Sequence, residues 1–350
     1  MTERVDVLVV GGGPAGLATA IEARQAGFGS TLLERRRPPI DVACGEGLMP
    51  AGVKRLKRLG VEISKADGRA FFGIRYLDGG VSAEARFIRG RGLGIRRTVL
   101  HDALRRRAEE LGVDLRWGTS VRGLAGSAVE TDHGAIRADW LVAADGRQSL
   151  LRRWAGIETV NPRVERFGIR RHYSMAPWTD LVEIHWADDA EAYVTPVGED
   201  LVGVAVLTRR TPVDFDRDIG RFPELLHRLQ GAAVASRDRG AGPFGQRPST
   251  VLAGRIALVG DASGCLDPIS GEGVSLAFGE AAALVGAIRR GAPAEYSGEH
   301  RRLFRAPSAV TRLLLECERR PRLRRVVLRS LARVPGVFSR VVDRVAAAGG

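Results

Sequence analysis

A chain of 350 residues that is 44% hydrophobic and 27% charged buries one large core or two modest ones, which excludes a disordered or fibrous polypeptide. Its net charge of +13 suggests a polyanionic partner, but thirteen arginines against Glu316, Glu318 and Asp343 give residues 301–350 a balance of +10 and leave +3 for the first 300 residues. The body is nearly neutral and carries no argument for nucleic acid.

Val5 to Val10 is a short apolar run of the kind buried on both faces of a parallel sheet, and glycines follow it at once. Pro14 to Ala26 then reads as a helix, and Thr31 to Glu34 as a second strand, completing a βαβ unit. Residues 35–47 form a loop, Pro50 to Leu59 a helix, Phe71 to Ile88 short strands, Arg97 to Leu111 a helix and Val113 to Arg116 a strand. Ala138 to Ala144 is another buried strand. Phe167–Tyr173, Leu181–Trp186, Ala190–Val197 and Leu201–Leu207 follow in close succession, as in an inserted antiparallel sheet. Ile256 to Val259 returns to the buried-strand pattern, Gly271 to Arg290 is a long helix, and the remainder is helical and arginine-rich.

Gly11-Gly12-Gly13-Pro14-Ala15-Gly16 fits G-x-G-x-x-G between a buried strand and a helix. Gly11 permits the tight turn, Gly13 lets a pyrophosphate approach the backbone, and Gly16 lets helix and strand pack closely. Glu34, at the end of the second strand, is placed to accept both hydroxyls of an adenosine ribose, so the site suits NAD or FAD and disfavours a 2′-phosphate. Far downstream, Gly260-Asp261 ends another buried strand, and Pro268, Gly271, Glu272 and Gly273 precede a helix beginning near Val274. An aspartate there is suited to ribityl hydroxyls, and a glycine-rich helix N-terminus to the pyrimidine end of a flavin.

This pairing resembles the FAD-dependent superfamily of p-hydroxybenzoate-type monooxygenases, flavin halogenases and geranylgeranyl reductases. Cys44-Gly45-Glu46-Gly47-Leu48 is similar to the Cys-Gly turn of the geranylgeranyl reductase branch, and Asp145-Gly146 to an internal Asp-Gly motif. The resemblance implies an α/β fold: a glutathione-reductase-type Rossmann FAD-binding domain (1–75, 95–160 and 250–290), an inserted antiparallel β-sheet substrate domain (76–94 and 161–249) and a basic helical C-terminal region (291–350). It implies FAD contacts at Ala15, Glu34, Cys44, Gly45, Gly47, Arg97, Val121, Asp261, Gly273 and Val274, beside Gly11, Gly13 and Gly16. Phe72 falls where a halogenase requires a lysine, which argues against halogenation.

The implied activity is that of an FAD-dependent oxidoreductase acting on a lipophilic small molecule. The first expectation is a monooxygenase that hydroxylates a hydrophobic aromatic or quinone-like compound through a flavin C4a-hydroperoxide. The alternative is a flavin-dependent reductase of prenyl-type double bonds, and a third reading is a binding protein that retains flavin. No second fingerprint holds a nicotinamide cofactor, so electrons arrive by transient NAD(P)H docking or from another protein. Within the inserted sheet, alternation puts Glu183 and His185 on one face and Val182, Ile184 and Trp186 on the other. His185 and Tyr193 are the candidate catalytic groups, as polar tips on an apolar wall.

Three scattered cysteines, Cys44, Cys265 and Cys317, fit neither a disulfide framework nor a zinc cluster and suit a reducing, cytoplasmic compartment. Val327, Leu331, Val334, Phe338, Val341 and Val345 recur at helical spacing in the tail. Pro335 divides the pattern into two helices, one ending near Arg333. These helices either cap the fold or dock peripherally on a membrane surface or an acidic carrier protein.

Overall fold

The computed structural model describes residues 3–126, 128–161 and 165–347. In chain order its principal elements are β1 (Glu3–Val10), α1 (Pro14–Gln25), β2 (Ser30–Glu34), α2 (Pro50–Arg58), β3 (Gly73–Asp78), β4 (Val81–Arg86), α3 (Arg97–Glu110), β5 (Asp114–Trp117) and β6 (Gly134–Ala143). The second half comprises β7 (Phe167–Ser174), β8 (Val182–Ala187), β9 (Ala190–Gly198), β10 (Leu201–Thr208), β11 (Ile256–Leu258), α4 (Gly273–Arg289), α5 (Glu295–Arg319), α6 (Pro321–Arg333) and α7 (Pro335–Ala347).

Strands β11, β6, β1, β2 and β5 lie side by side in that order and are all parallel. The continuous apolar run seen in β1 has the cause expected of such a sheet, since Val7, Leu8, Val9 and Val10 are all buried. Helix α1 packs on α3 and α4 through buried Leu17, Ala18, Ala20 and Ile21. Each fully buried leucine or isoleucine contributes roughly 1.5–3 kcal/mol. This core places the loops after β1, β2, β6 and β11 along one edge, where an open parallel sheet binds its ligand.

The second sheet runs β7-β10-β9-β8-β3-β4. Its pairings are antiparallel, as the sequence suggested, except that β8 runs parallel to β3. Two expected domain limits move as a result. Strand β3 begins at Gly73, so the sheet domain starts before residue 76 because Ile74 and Arg75 already pair with Val182 and Glu183. Gly92–Gly94 belongs instead with Gly47–Leu48 and Arg69–Phe71, with which it forms a small separate sheet.

The tail forms two helices divided at Pro335, as expected, but its buried seam is displaced. Leu328 and Phe338 are buried, Leu331 and Val342 partly so, while Val334 and Val341 are exposed. The side chain of Val345 lies outside the described residues. A single stripe cannot run through α6 and α7, because the break at Val334-Pro335 resets the helical phase. Arg324 is buried against Asp78 (Nε to Oδ2, 2.8 Å).

Candidate active site

The turn after β1 is built so that only glycine fits at three of its positions. A Cβ on Gly11, where φ is +114°, would lie 2.2 Å from the Ala144 carbonyl oxygen, and one on Gly16 would lie 1.8 Å from the Gly11 carbonyl oxygen. At Gly12 a Cβ would strike Trp117 and Glu34. Gly13 differs: only the Arg97 guanidinium comes within reach, at 3.8 Å, so its free side faces an opening. Helix α1 starts there with no side-chain cap, leaving N–H groups available to an anion.

Glu34 closes one end of this opening. Its Oε2 accepts from the Gly12 N–H (2.8 Å) and its Oε1 from the Arg36 N–H (2.9 Å), which fixes the carboxylate and leaves lone pairs for a diol. The Glu34 carbonyl accepts from the N–H groups of Gly118 and Thr119, and this brings the start of the strand Val121–Ala125 to the same edge. His101, which sequence reasoning passed over, holds the turn from behind, with Nε2 2.9 Å from the Gly12 carbonyl oxygen. Since that oxygen only accepts, the ring donates. Burial, reinforced by the nearby Arg97 charge, lowers the His101 pKa to about 4 and keeps the ring neutral.

The other end is formed by Gly260, Asp261 and the start of α4. Gly260 sits on Ala15, leaving no room for a side chain, and Asp261 is half-exposed beside Arg147. Behind them, Glu280 accepts from the Gly260 N–H (2.9 Å), from the Ser263 hydroxyl and from His300. This buried carboxyl explains the serine in Gly-Asp-Ala-Ser-Gly as a donor that holds the turn. Asp145 caps the short helix Leu150–Trp154, from which Arg152 donates to the Ala262 carbonyl (2.8 Å). Helix α4 begins at Gly273 and Val274 with no side-chain cap, and a Cβ at Gly271 or Gly273 would meet nothing within 4 Å.

The 41–47 loop is pinned from the second sheet by three neighbouring side chains. Arg170 donates to Asp41 (2.5 Å), His172 Nε2 lies 2.5 Å from Glu46 Oε2, and the Thr195 hydroxyl donates to the Gly45 carbonyl (2.7 Å). Glu46, in a left-handed conformation with φ of 59°, also accepts from the Arg97 N–H at the start of α3 (2.9 Å). One buried carboxylate thus ties loop, sheet and helix. No local pattern along the chain signals this contact, because 126 residues separate Glu46 from His172. Cys44 lies in the same loop; burial pushes its thiol pKa up, and the Arg97 charge opposes the shift.

The two proposed catalytic side chains separate. Tyr193 stands opposite Ile184 and His185 opposite Ala192, so they occupy opposite faces of the sheet. His185 lies against Glu183 (3.3 Å) on the face that carries Ala192 and Val194, which pack with Phe215, Phe222 and Leu225. It has no access to the face that carries Tyr193 and Thr195, which corrects its assignment as a wall residue. The period-2 alternation was legible, but which face meets the loop depends on how the sheet docks.

Tyr193 is on the informative face. Its hydroxyl lies 2.9 Å from Glu191 Oε2 and 2.8 Å from the Ile269 carbonyl oxygen. One proton cannot serve both acceptors, so when Tyr193 donates to Ile269 it is Glu191 that must carry the second proton. Complete burial supplies the cause, pushing the Glu191 pKa up to about 7 although Arg166 pairs with its other oxygen. Arg166 also donates to Asp267 (2.8 Å), which orders the segment leading to Ile269. Tyr193 belongs to one buried apolar cluster with Met49, Phe71, Val182, Ile184, Phe244 and Cys265.

Among the described residues no group of acidic, histidine or cysteine side chains is placed to hold a metal ion. The edge instead presents two uncapped helix starts, a carboxylate fixed for a diol and a half-exposed aspartate. Between them Arg97 has a buried Nη1 with no hydrogen-bond partner among the described residues. Such an orphaned guanidinium donor beside an open glycine backbone fits a pyrophosphate, and the whole edge fits a flavin dinucleotide.

These features define a flavin-dependent oxidoreductase. Residues 4–290 match the FAD binding domain family, and the chain belongs to it. It is 30% identical over 302 residues to the menaquinone reductase of Mycolicibacterium smegmatis, covering 78% of this chain and 74% of that protein. It is 26% identical over 306 residues to digeranylgeranylglycerophospholipid reductase 1 of Methanothermobacter thermautotrophicus, with 78% and 74% covered. In fold it is similar to a flavoprotein/dehydrogenase from Cytophaga hutchinsonii, with a TM-score of 0.84 at 20% identity over 98% of this chain and 93% of that one.

Proposed function

We propose that this enzyme reduces a double bond in the prenyl-type chain of a lipophilic substrate. The observation that carries the reading is the apolar wall to which Tyr193 belongs, with a hydroxyl whose partner carboxyl, Glu191, has its pKa pushed up to about 7 by burial. Kinship with two reductases whose names specify prenylated lipids supports the same substrate class.

Reduced FAD supplies the hydride in this chemistry. The protein's part is to hold and protonate. Gly11 to Gly16, Glu34 and Arg97 bind the dinucleotide, with Val121, Asp261, Gly273 and Val274 along the same edge, and the loop bearing Cys44, Gly45 and Gly47 stays fixed by Arg170, His172 and Thr195. The apolar wall excludes water and aligns the chain. Tyr193 gives a proton to the second carbon of the double bond, and Glu191 returns one to the tyrosyl oxygen, while Arg166 keeps the Glu191 carboxyl oriented. NAD(P)H, docking transiently, is the proposed source of electrons.

The test is reoxidation of the chemically reduced holoenzyme under argon when a menaquinone or a digeranylgeranyl lipid is added. The reading requires flavin absorbance to return without oxygen. It also requires Tyr193→Phe to slow that return by about 10²-fold or more, and the rate to fall as pH rises past about 7, where Glu191 loses its proton. A flavin that stays reduced until air is admitted would overturn it. That result would favour the second reading, hydroxylation of an aromatic or quinone-like compound, for which ionised Glu191 is suited to take a phenolic proton through Tyr193.

A further inference from the structure

We infer that the outward faces of α6 and α7 form a docking surface for an anionic lipid bilayer. Helix α6 is turned so that Arg324 and Leu328 point into the protein. At 100° per residue this directs Leu323, Val326, Arg322, Arg329 and Arg333 away from it. In α7, Phe338 and Asp343 face inward, which directs Val337, Val341, Arg340 and Arg344 outward. Leu323, Val326, Val337 and Val341 are 43%, 57%, 53% and 54% exposed.

Two properties of this surface specify its partner. First, it carries no carboxylate. Asp343, the one acidic residue of the two helices, is buried and spent on the backbone N–H groups of Ile88 and Arg89 and on the Arg89 side chain. Among the described residues, Arg322, Arg329, Arg333, Arg340 and Arg344 pair with no carboxylate, whereas Arg324 and Arg325 pair with Asp78. Second, the arginines alternate with exposed valine and leucine. A soluble acidic protein needs only the charge, but a bilayer offers anionic headgroups with hydrocarbon just beneath, which matches both parts of the pattern.

The helices are held rigidly enough to present that face. Arg324 pairs with Asp78, Ser339 accepts from the Arg86 N–H (3.0 Å), and Phe338 packs on Tyr76 with ring centroids 6.1 Å apart. Phe338 and Leu328 belong to the same apolar cluster as Tyr193. The side opposite the docking face therefore roofs the apolar wall, and seating on a bilayer brings that wall next to the membrane. Docking is a property of the tail whichever reaction the wall supports.

Sedimentation of the full-length FAD-bound chain with vesicles tests this, comparing phosphatidylcholine alone with a mixture of phosphatidylcholine and phosphatidylglycerol, and with soluble polyglutamate as competitor. We expect binding to the anionic vesicles that weakens as salt is raised. A combined Arg329→Glu, Arg333→Glu, Arg340→Glu and Arg344→Glu variant should lose affinity by about a hundredfold or more. A Val337→Ser and Val341→Ser variant, at unchanged charge, should lose about tenfold. All six side chains are exposed, so melting transitions should match the unmodified chain and attribute the losses to the surface. Equal binding to neutral vesicles, or no loss in the arginine variant, would overturn the inference. So would valine variants that bind unchanged while polyglutamate displaces the protein fully, an outcome that assigns the surface to an acidic protein.

Discussion

Gly13 and Gly16 belong to one fingerprint and do different work. The space at Gly13 is open apart from Arg97, whereas a methyl at Gly16 would overlap the Gly11 carbonyl. Gly13→Ala should therefore fold with little change in melting temperature yet bind FAD more weakly, while Gly16→Ala should lose stability with or without FAD. Flavin fluorescence titration and thermal melts of the apoprotein separate the two effects. Glu272 supplies a second residue-scale expectation. It is buried, its Oε1 has no hydrogen-bond partner among the described residues, and burial raises its pKa to about 7 despite the Arg55 charge. A carboxyl whose folded pKa is raised favours the fold below its unfolded pKa near 4.5, and that contribution is lost as pH rises towards 7. Glu272→Gln should leave stability at pH 4 nearly unchanged and raise it at pH 8, by up to about 3 kcal/mol. Melting curves at the two pH values check this, and equal shifts at both would contradict it.

At the scale of elements, the tail is held by a few buried contacts rather than by a continuous seam. Among the described residues Arg324 is enclosed with one charged partner within hydrogen-bond reach, Asp78, which it approaches while stacking its guanidinium over Trp186. Removing that partner strands a buried charge, at a cost of about 3–5 kcal/mol. Asp78→Ala should thus release α6 and α7 from the sheet, read as rapid tryptic cleavage within residues 320–344 of a chain that otherwise resists digestion. Cleavage at the unmodified rate would show that the apolar underside alone holds the helices. The same elements mark the limit of what sequence reveals. The strands and helices of the parallel sheet were legible because their pattern is local, in the apolar run of β1 and the glycines that follow. The displaced seam of the tail and the separation of His185 from Tyr193 were not. Both depend on how one element rotates or docks against another, which spacing along the chain does not encode.

Across the whole molecule, the positive charge and the chemistry occupy different places. The flavin edge was visible in the sequence because each motif adjoins a strand end, and parallel strands bring such ends together. The network that fixes the reactive wall was not visible, because Glu46 with His172, Arg166 with Asp267 and Tyr193 with Ile269 are joined only by tertiary packing. The excess charge, by contrast, gathers on a tail whose underside covers that wall. In the proposed reaction the wall adds hydrogen, and not oxygen, to a prenyl-type chain. Mass spectrometry of the product after a single turnover of reduced enzyme under argon distinguishes the two. The product should be heavier than the substrate by one pair of hydrogen atoms, formed without oxygen and greatly diminished in Tyr193→Phe. Unchanged substrate under argon, with a product one oxygen heavier on admission of air, would contradict it.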